Sequence, residues 1–277
     1  MSYNFELKAH FLLKMNKIKR MNKTYILYIL ILNSIIATST NVNYELNYSR
    51  IKPGEKLFYT AQWGFLTIGS GSTIVDNKLY KIGNTVCYKI DVQGRTNGLA
   101  KLFYVRDKWT AYVDSSNILT HKSSRSIREG RYTMDEMVDF DHENKKATVK
   151  VFDKTKKIFQ LKKIYDTPEN IRDIVGGFMM VRMIELDKIK KGSVFSINGF
   201  YEDEGYKIDV IYDGLETIKV NNKLLKCHKM KPIVPKNAVF DGHNSIEVWL
   251  SNDARQNIVR IKAKMFVGSV IVDLDSN

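Results

Sequence analysis

Through most of this chain apolar side chains recur at every second position. Leu57, Tyr59, Ala61 and Trp63 alternate with Phe58, Thr60 and Gln62, and Val86, Tyr88, Ile90 and Val92 alternate with Cys87, Lys89 and Asp91. A period of two turns one set of side chains toward a core and the other toward solvent, so these runs predict β-strands. Phe103 to Val105, Trp109 to Val113, Ala147 to Phe152 and Ile158 to Leu161 extend the β character, with turn signals at Asn97-Gly98, Asn144-Lys145 and Asp153-Lys154. Farther on, Tyr206, Ile208, Val210 and Tyr212 share one face, and hairpin turns are expected at 202–205, Asp213-Gly214 and Asn221-Asn222. The last two strands are expected at Ser245 to Ser251 and Val259 to Leu274, the latter bent near Gly268. Short sequential connections favour antiparallel pairing.

The period changes once. Ile171, Ile174, Val175, Phe178, Met179, Arg182 and Leu186 recur at three and four residues, which predicts one amphipathic helix over about 169–187. Thr167 and Pro168 suit its start, and Gly192 stands past its end. Arg182 falls four residues after Phe178 and four before Leu186, on or beside the face such a helix buries. A buried guanidinium needs a partner, because leaving one charge alone costs several kcal/mol. Asp253 and Asp107 are the candidate carboxylates. A structural ion pair between helix and sheet and a ligand-facing arginine are both open.

Composition places the chain before it explains it. Lys14, Lys17, Lys19, Arg20 and Lys23 precede the apolar run from Tyr25 to Leu32, and Ala37-Thr38-Ser39 follows. This order predicts a cleaved signal peptide over 1–39, too short in its apolar part for a spanning helix. Met15 or Met21 would give a more ordinary leader than Met1. No Cys stands near the cleavage point, so a lipid-modified mature N-terminus is not expected. The leader holds six Lys or Arg and one Glu, which leaves +9 of the full charge of +14 on the remaining 238 residues. That length suits a single mainly-β domain over 44–277. The lysines are scattered beside acids, and with an export signal this balance does not point to nucleic acid. Cys87 and Cys227 are free to bond in an oxidising compartment if the fold brings them together, which sequence leaves open.

Motifs that carry chemistry are few. Residues 69–73, Gly-Ser-Gly-Ser-Thr, lack the lysine of a phosphate loop and run on into strand. Glu202, Asp203 and Glu204 gather three carboxylates at an expected hairpin tip, where water solvates them. Asp241, His243 and Glu247 lack a nucleophile, and no further Cys or His joins His228 and Cys227 at ligand spacing. No cofactor, metal or catalytic residue is indicated. Trp63, Phe65, Phe103, Trp109 and Trp249 would be enough to line an apolar groove.

Several segments together resemble a family of exported bacterial proteins, the domain of unknown function 3108. They are Gly54 to Tyr59 leading to Trp63-Gly64-Phe65, then Arg106-Asp107 and Asp114, then Ile174 to Arg182 with Gly192. Glu247 to Arg255 is similar to its most distinctive strand, and Val259 to Ile261 with Gly268 to Val270 completes the likeness. Ile258 stands where that family often has proline. The resemblance implies a mostly antiparallel β protein of the Gram-negative envelope, and brings no activity and no site residues.

The expected architecture is therefore a long curved antiparallel sheet or open barrel-like fold with one helix packed against it. In outline this is similar to periplasmic lipoprotein carriers, and the expected function is non-enzymatic binding of an apolar or amphipathic ligand on a concave β surface. The partners it admits are a lipid or other amphiphile, or an envelope protein, with membrane contact through the leader or the surface alone. Two alternatives stay open: a hydrolase of an envelope polymer acting through paired carboxylates, and a scaffold that binds a protein partner.

Overall fold

The structure is a computed structural model that describes residues 44–97, 104–233, 245–265 and 268–276. The expected leader, Phe103, Asp241, His243 and the Gly98 side of the first expected turn lie outside them. Among the described residues the fold is mainly β, one fourteen-stranded antiparallel sheet with a single α-helix. The first half of the chain forms β1 (Lys56–Trp63), β2 (Leu66–Ile82), β3 (Thr85–Thr96), β4 (Arg106–Asp114), β5 (Thr120–Glu129), β6 (Tyr132–Asp141), β7 (Lys146–Asp153) and β8 (Ile158–Asp166). Helix α1 (Ile174–Met183) follows, then β9 (Val194–Tyr201), β10 (Glu204–Val220), β11 (Lys223–Pro232), β12 (Ile246–Ser251), β13 (Ile258–Lys264) and β14 (Ser269–Leu274).

The sheet is two meanders, β1 to β8 and β14 back to β9, joined where β1 pairs with β14. The strands on either side of α1 in sequence are thus the two edges of the sheet. Laid flat, fourteen strands would hold those edges about 60 Å apart. Instead the ends overlap. Ile90, Ala111, Ser123, Val138 and Val149 are successive cross-strand partners and define the inner face. On β9, Phe195 and Ile197 join the core around α1, while Phe200 points the other way. There it meets the inner face of the opposite end, with its ring 5.7 Å from Phe140 and 5.8 Å from Tyr165. The edge of β9 is covered by Arg172, whose N–H donates to the Asn198 carbonyl and whose carbonyl accepts from the Phe200 N–H. The edge of β8 pairs only with β7 among the described residues, and Leu161 and Ile164 on it are exposed.

Inside this curl sits α1. Of its residues only Ile174 is exposed, so the helix is buried nearly all round rather than on one stripe. Met179, Met180 and Met183 pack among Val75, Ile90 and Val113 of one meander and Val210, Met230 and Leu250 of the other. The helix is shorter than its periodicity suggests, because residues 170–172 are taken up in covering β9. Asp173 caps it, accepting from the Gly176 N–H at 2.9 Å and from the Thr120 hydroxyl at 2.7 Å. At that cap a Cβ on Gly176 would lie 2.3 Å from Thr120 Oγ1, so only glycine lets helix and β5 approach so closely.

Three further expectations are corrected. Asp213-Gly214 is not a hairpin turn but an irregularity within the 17-residue strand β10, where the register to β11 shifts. Val259 to Leu274 is not one bent strand but the hairpin β13–β14, with Gly268 at φ 73° in its turn. Between Asp114 and Asp141 lie β5 and β6, which the alternation did not mark. The cysteines are free and buried on β3 and β11, with five strands between them.

Candidate functional site

The buried arginine lies at the end of α1. Arg182 is 1% exposed and forks onto Glu55, Nη1 to Oε1 at 2.7 Å and Nη2 to Oε2 at 3.0 Å. Nη2 also donates to Asn257 Oδ1 at 2.7 Å, and Arg255 stands 3.4 Å from the same carboxylate. The helix's last carbonyls are satisfied too. Arg50 and Gln256 each donate to the carbonyls of Arg182 and Ile184. The partner is therefore Glu55, and neither Asp253 nor Asp107. Asp253 is exposed and caps its own turn through the N–H groups of Arg255 and Gln256. Asp107 accepts the Arg128 N–H at 2.8 Å.

The aromatic candidates do not converge. Phe65 stands 94% exposed in the β1–β2 turn, and Trp63 lies against Gly268. Trp109 faces α1, where it lines a void of about 30 Å³, the room of one water. Its Nε1 and Glu136 Oε2 are buried without a protein partner, and both residues line that void. Trp249 points to the side opposite Val248 and Leu250, in a small cluster with Cys227 and Val259. The inner concave surface is thus filled by α1.

The roomy concavity is on the outer face. It holds about 820 Å³ over β1 to β5. Two adjacent cross-strand rows make its floor. One runs through Phe58, Ser72, Gln93, Lys108 and Ser126, and the other through Ser70, Arg95 and Arg106. These positions are out of phase with inward Val75, Ile90 and Ala111, so they face outward. Phe58 and Ile74 give the trough an apolar side on β1 and β2, Arg95, Arg106, Lys108 and Arg128 a cationic one on β3 to β5, and Tyr104 lies beyond Arg106.

The four cations are not alike. Arg128 is held by Asp135, Nη2 lying 2.8 Å from both carboxylate oxygens, and Lys108 lies 3.2 Å from Asp91. Among the described residues Arg95 reaches only the hydroxyl of Ser70, at 3.2 Å, and Arg106 meets no acceptor. The two are direct cross-strand partners. The Thr96 N–H donates to the Val105 carbonyl, so the neighbouring Arg95–Arg106 pair is the non-hydrogen-bonded kind, with facing Cβ atoms about 5 Å apart. Of the carboxylates lining the trough, Asp107 is turned to the Arg128 N–H and Asp275 accepts from the Thr60 hydroxyl at 2.7 Å.

The other clusters are engaged within the fold. Glu202 and Asp203 form the tip of the β9–β10 turn at positive φ, and Asp203 pairs with Lys162 of β8. Glu247 pairs with Lys229 at 2.8 Å. Buried His228 lies between the Tyr212 hydroxyl and the Asn252 amide, and burial holds its pKa low. No group of three or more metal-type ligands occurs among the described residues.

Sequence reasoning found Arg182 but missed Glu55 as its partner, and missed the Arg95–Arg106 pair. A helix period marks a buried arginine, but nothing local marks a carboxylate 127 residues away. The signal for Arg95 and Arg106 is the register of β3 against β4, which the sequence does not carry.

Comparison with known proteins bears on the chain as a whole. The family described as "Protein of unknown function (DUF3108)" matches residues 59–275. No curated protein matches the chain. Among solved structures it is similar to a beta-barrel-like protein of domain of unknown function DUF1849 from Brucella abortus, at 10% identity and a TM-score of 0.44, over 80% of this chain and 98% of that one. The chain belongs to the DUF3108 family.

Proposed function

We propose that this DUF3108 protein is an exported, non-enzymatic binder that holds an amphipathic ligand in its outer trough, in the periplasm or envelope of a Gram-negative-type bacterium. The cationic stretch and apolar run that predict a leader over 1–39 support the location. The observation that carries the binding is the trough itself, about 820 Å³ of concavity with an apolar wall beside a polar, cationic floor. On the inner face, Met179, Met180 and Met183 of α1 and Leu186 just beyond it pack into the core instead. A ligand with an apolar body and a polar end matches the trough's two kinds of lining.

Native mass spectrometry with solvent extraction, on residues 40–277 purified gently from the source cell's envelope, tests this reading. The expected result is a stoichiometric amphiphile. A clean apo mass from a monodisperse protein would contradict it.

A further inference from the structure

We infer that Arg95 and Arg106 form an anion clamp at the polar end of the trough, and that the ligand's polar end is a phosphate group. The inference rests on the trough being the ligand site and adds the charge and chemistry of what it takes. Its basis is a contrast within one surface. The two other cations that line the trough each have a carboxylate, Asp135 for Arg128 and Asp91 for Lys108. At the Arg95–Arg106 pair the sheet supplies none among the described residues, although like charges directly opposite on neighbouring strands repel. The free protein would be better off with one of them neutral.

The geometry also fits the ligand. Two guanidinium forks side by side offer more donors than a single carboxylate can accept, and a phosphate's oxygens can take a bidentate pair from one and a further bond from the other. Ser70 holds the Nε of Arg95, and the terminal nitrogens of this trough-lining arginine meet no protein acceptor among the described residues. Apolar Phe58 and Ile74 lie on the same outward face, where the body attached to that phosphate would rest.

The test is a titration of the mature protein with three probes: dihexanoyl phosphatidic acid, the uncharged dihexanoylglycerol of the same chains, and inorganic phosphate. Wild type, Arg95→Gln and Arg106→Gln are compared. The expected result is that phosphatidic acid binds wild type most tightly and that each substitution weakens it about tenfold or more. Arg106→Gln, at an exposed position, should leave the free protein as stable as wild type or more so, which a merely structural arginine would not. Equal binding of the uncharged lipid, or unchanged affinity in both variants, would overturn the clamp and leave the trough reading standing. Phosphate alone binding as tightly as the lipid would keep the clamp and overturn the amphiphile. If neither lipid nor phosphate binds, both fall.

Discussion

Arg182 and Arg106 carry the same guanidinium and meet opposite surroundings. Arg182 is sealed between α1 and the start of β1, with Glu55 and Asn257 accepting from its two terminal nitrogens while its buried Nε has no partner among the described residues. Arg106 stands exposed beside a second arginine and has no acceptor among the described residues. Burial forces the first arrangement, since an unpaired charge in the interior is far more costly than the pair is favourable. Solvent tolerates the second, at a small cost. The difference teaches which charges hold a fold together and which are left for something outside it.

The comparison can be broken first at its buried side. Arg182→Met should strand Glu55 with only Arg255 nearby, and Glu55→Gln should strand Arg182, each costing about 3–5 kcal/mol of stability in urea unfolding. A loss well below 1 kcal/mol in both would mean the pair does not lock helix to sheet.

The other end of α1 gives a second, pH-dependent effect. Burial pushes the Asp173 carboxyl up to about 6, against the pull of the Gly176 N–H and the Thr120 hydroxyl. The folded chain then holds a proton that the unfolded chain releases near its ordinary value of 3.8, so this contribution is full below that value and is lost as pH rises through about 6. Asn can still accept at a helix start. Asp173→Asn should therefore gain on wild type as pH rises from 4 to 6, by at most roughly 3 kcal/mol, and then level off. A flat difference across that window in parallel denaturation curves would show that the carboxyl titrates normally.

The smallest expected effect sits in the trough. Arg106→Gln should raise stability by about 0.2–1 kcal/mol at low salt, because it removes a facing like charge, and the gain should shrink as salt screens the pair.

How much of this was legible follows from what each strand buries. β1, β3 and β7 show in the alternation because Tyr59, Ile90 and Val149 face the interior. β5 does not, since its inward positions include Thr120 and Ser123, small polar residues that are buried yet read as loop. The β10 irregularity at Asp213-Gly214 carries the residues of a tight turn, and only pairing with β11 decides between them. The α1 stripe identified the helix but not its place, because a helix at the centre of a curled sheet is apolar on nearly every face. Leaving the inner surface for the outer one is the main change to the candidate site. It depends on what fills the curl, which no local pattern records.

The central claim is that the outer arginine pair is held for a ligand, and the most direct measurement is thermal unfolding of wild type and Arg106→Gln with and without dihexanoyl phosphatidic acid. The account predicts that the free variant melts at or above wild type, and that the lipid raises the midpoint of wild type but hardly that of the variant. A free variant that melts well below wild type, or an equal rise in both proteins, would contradict it.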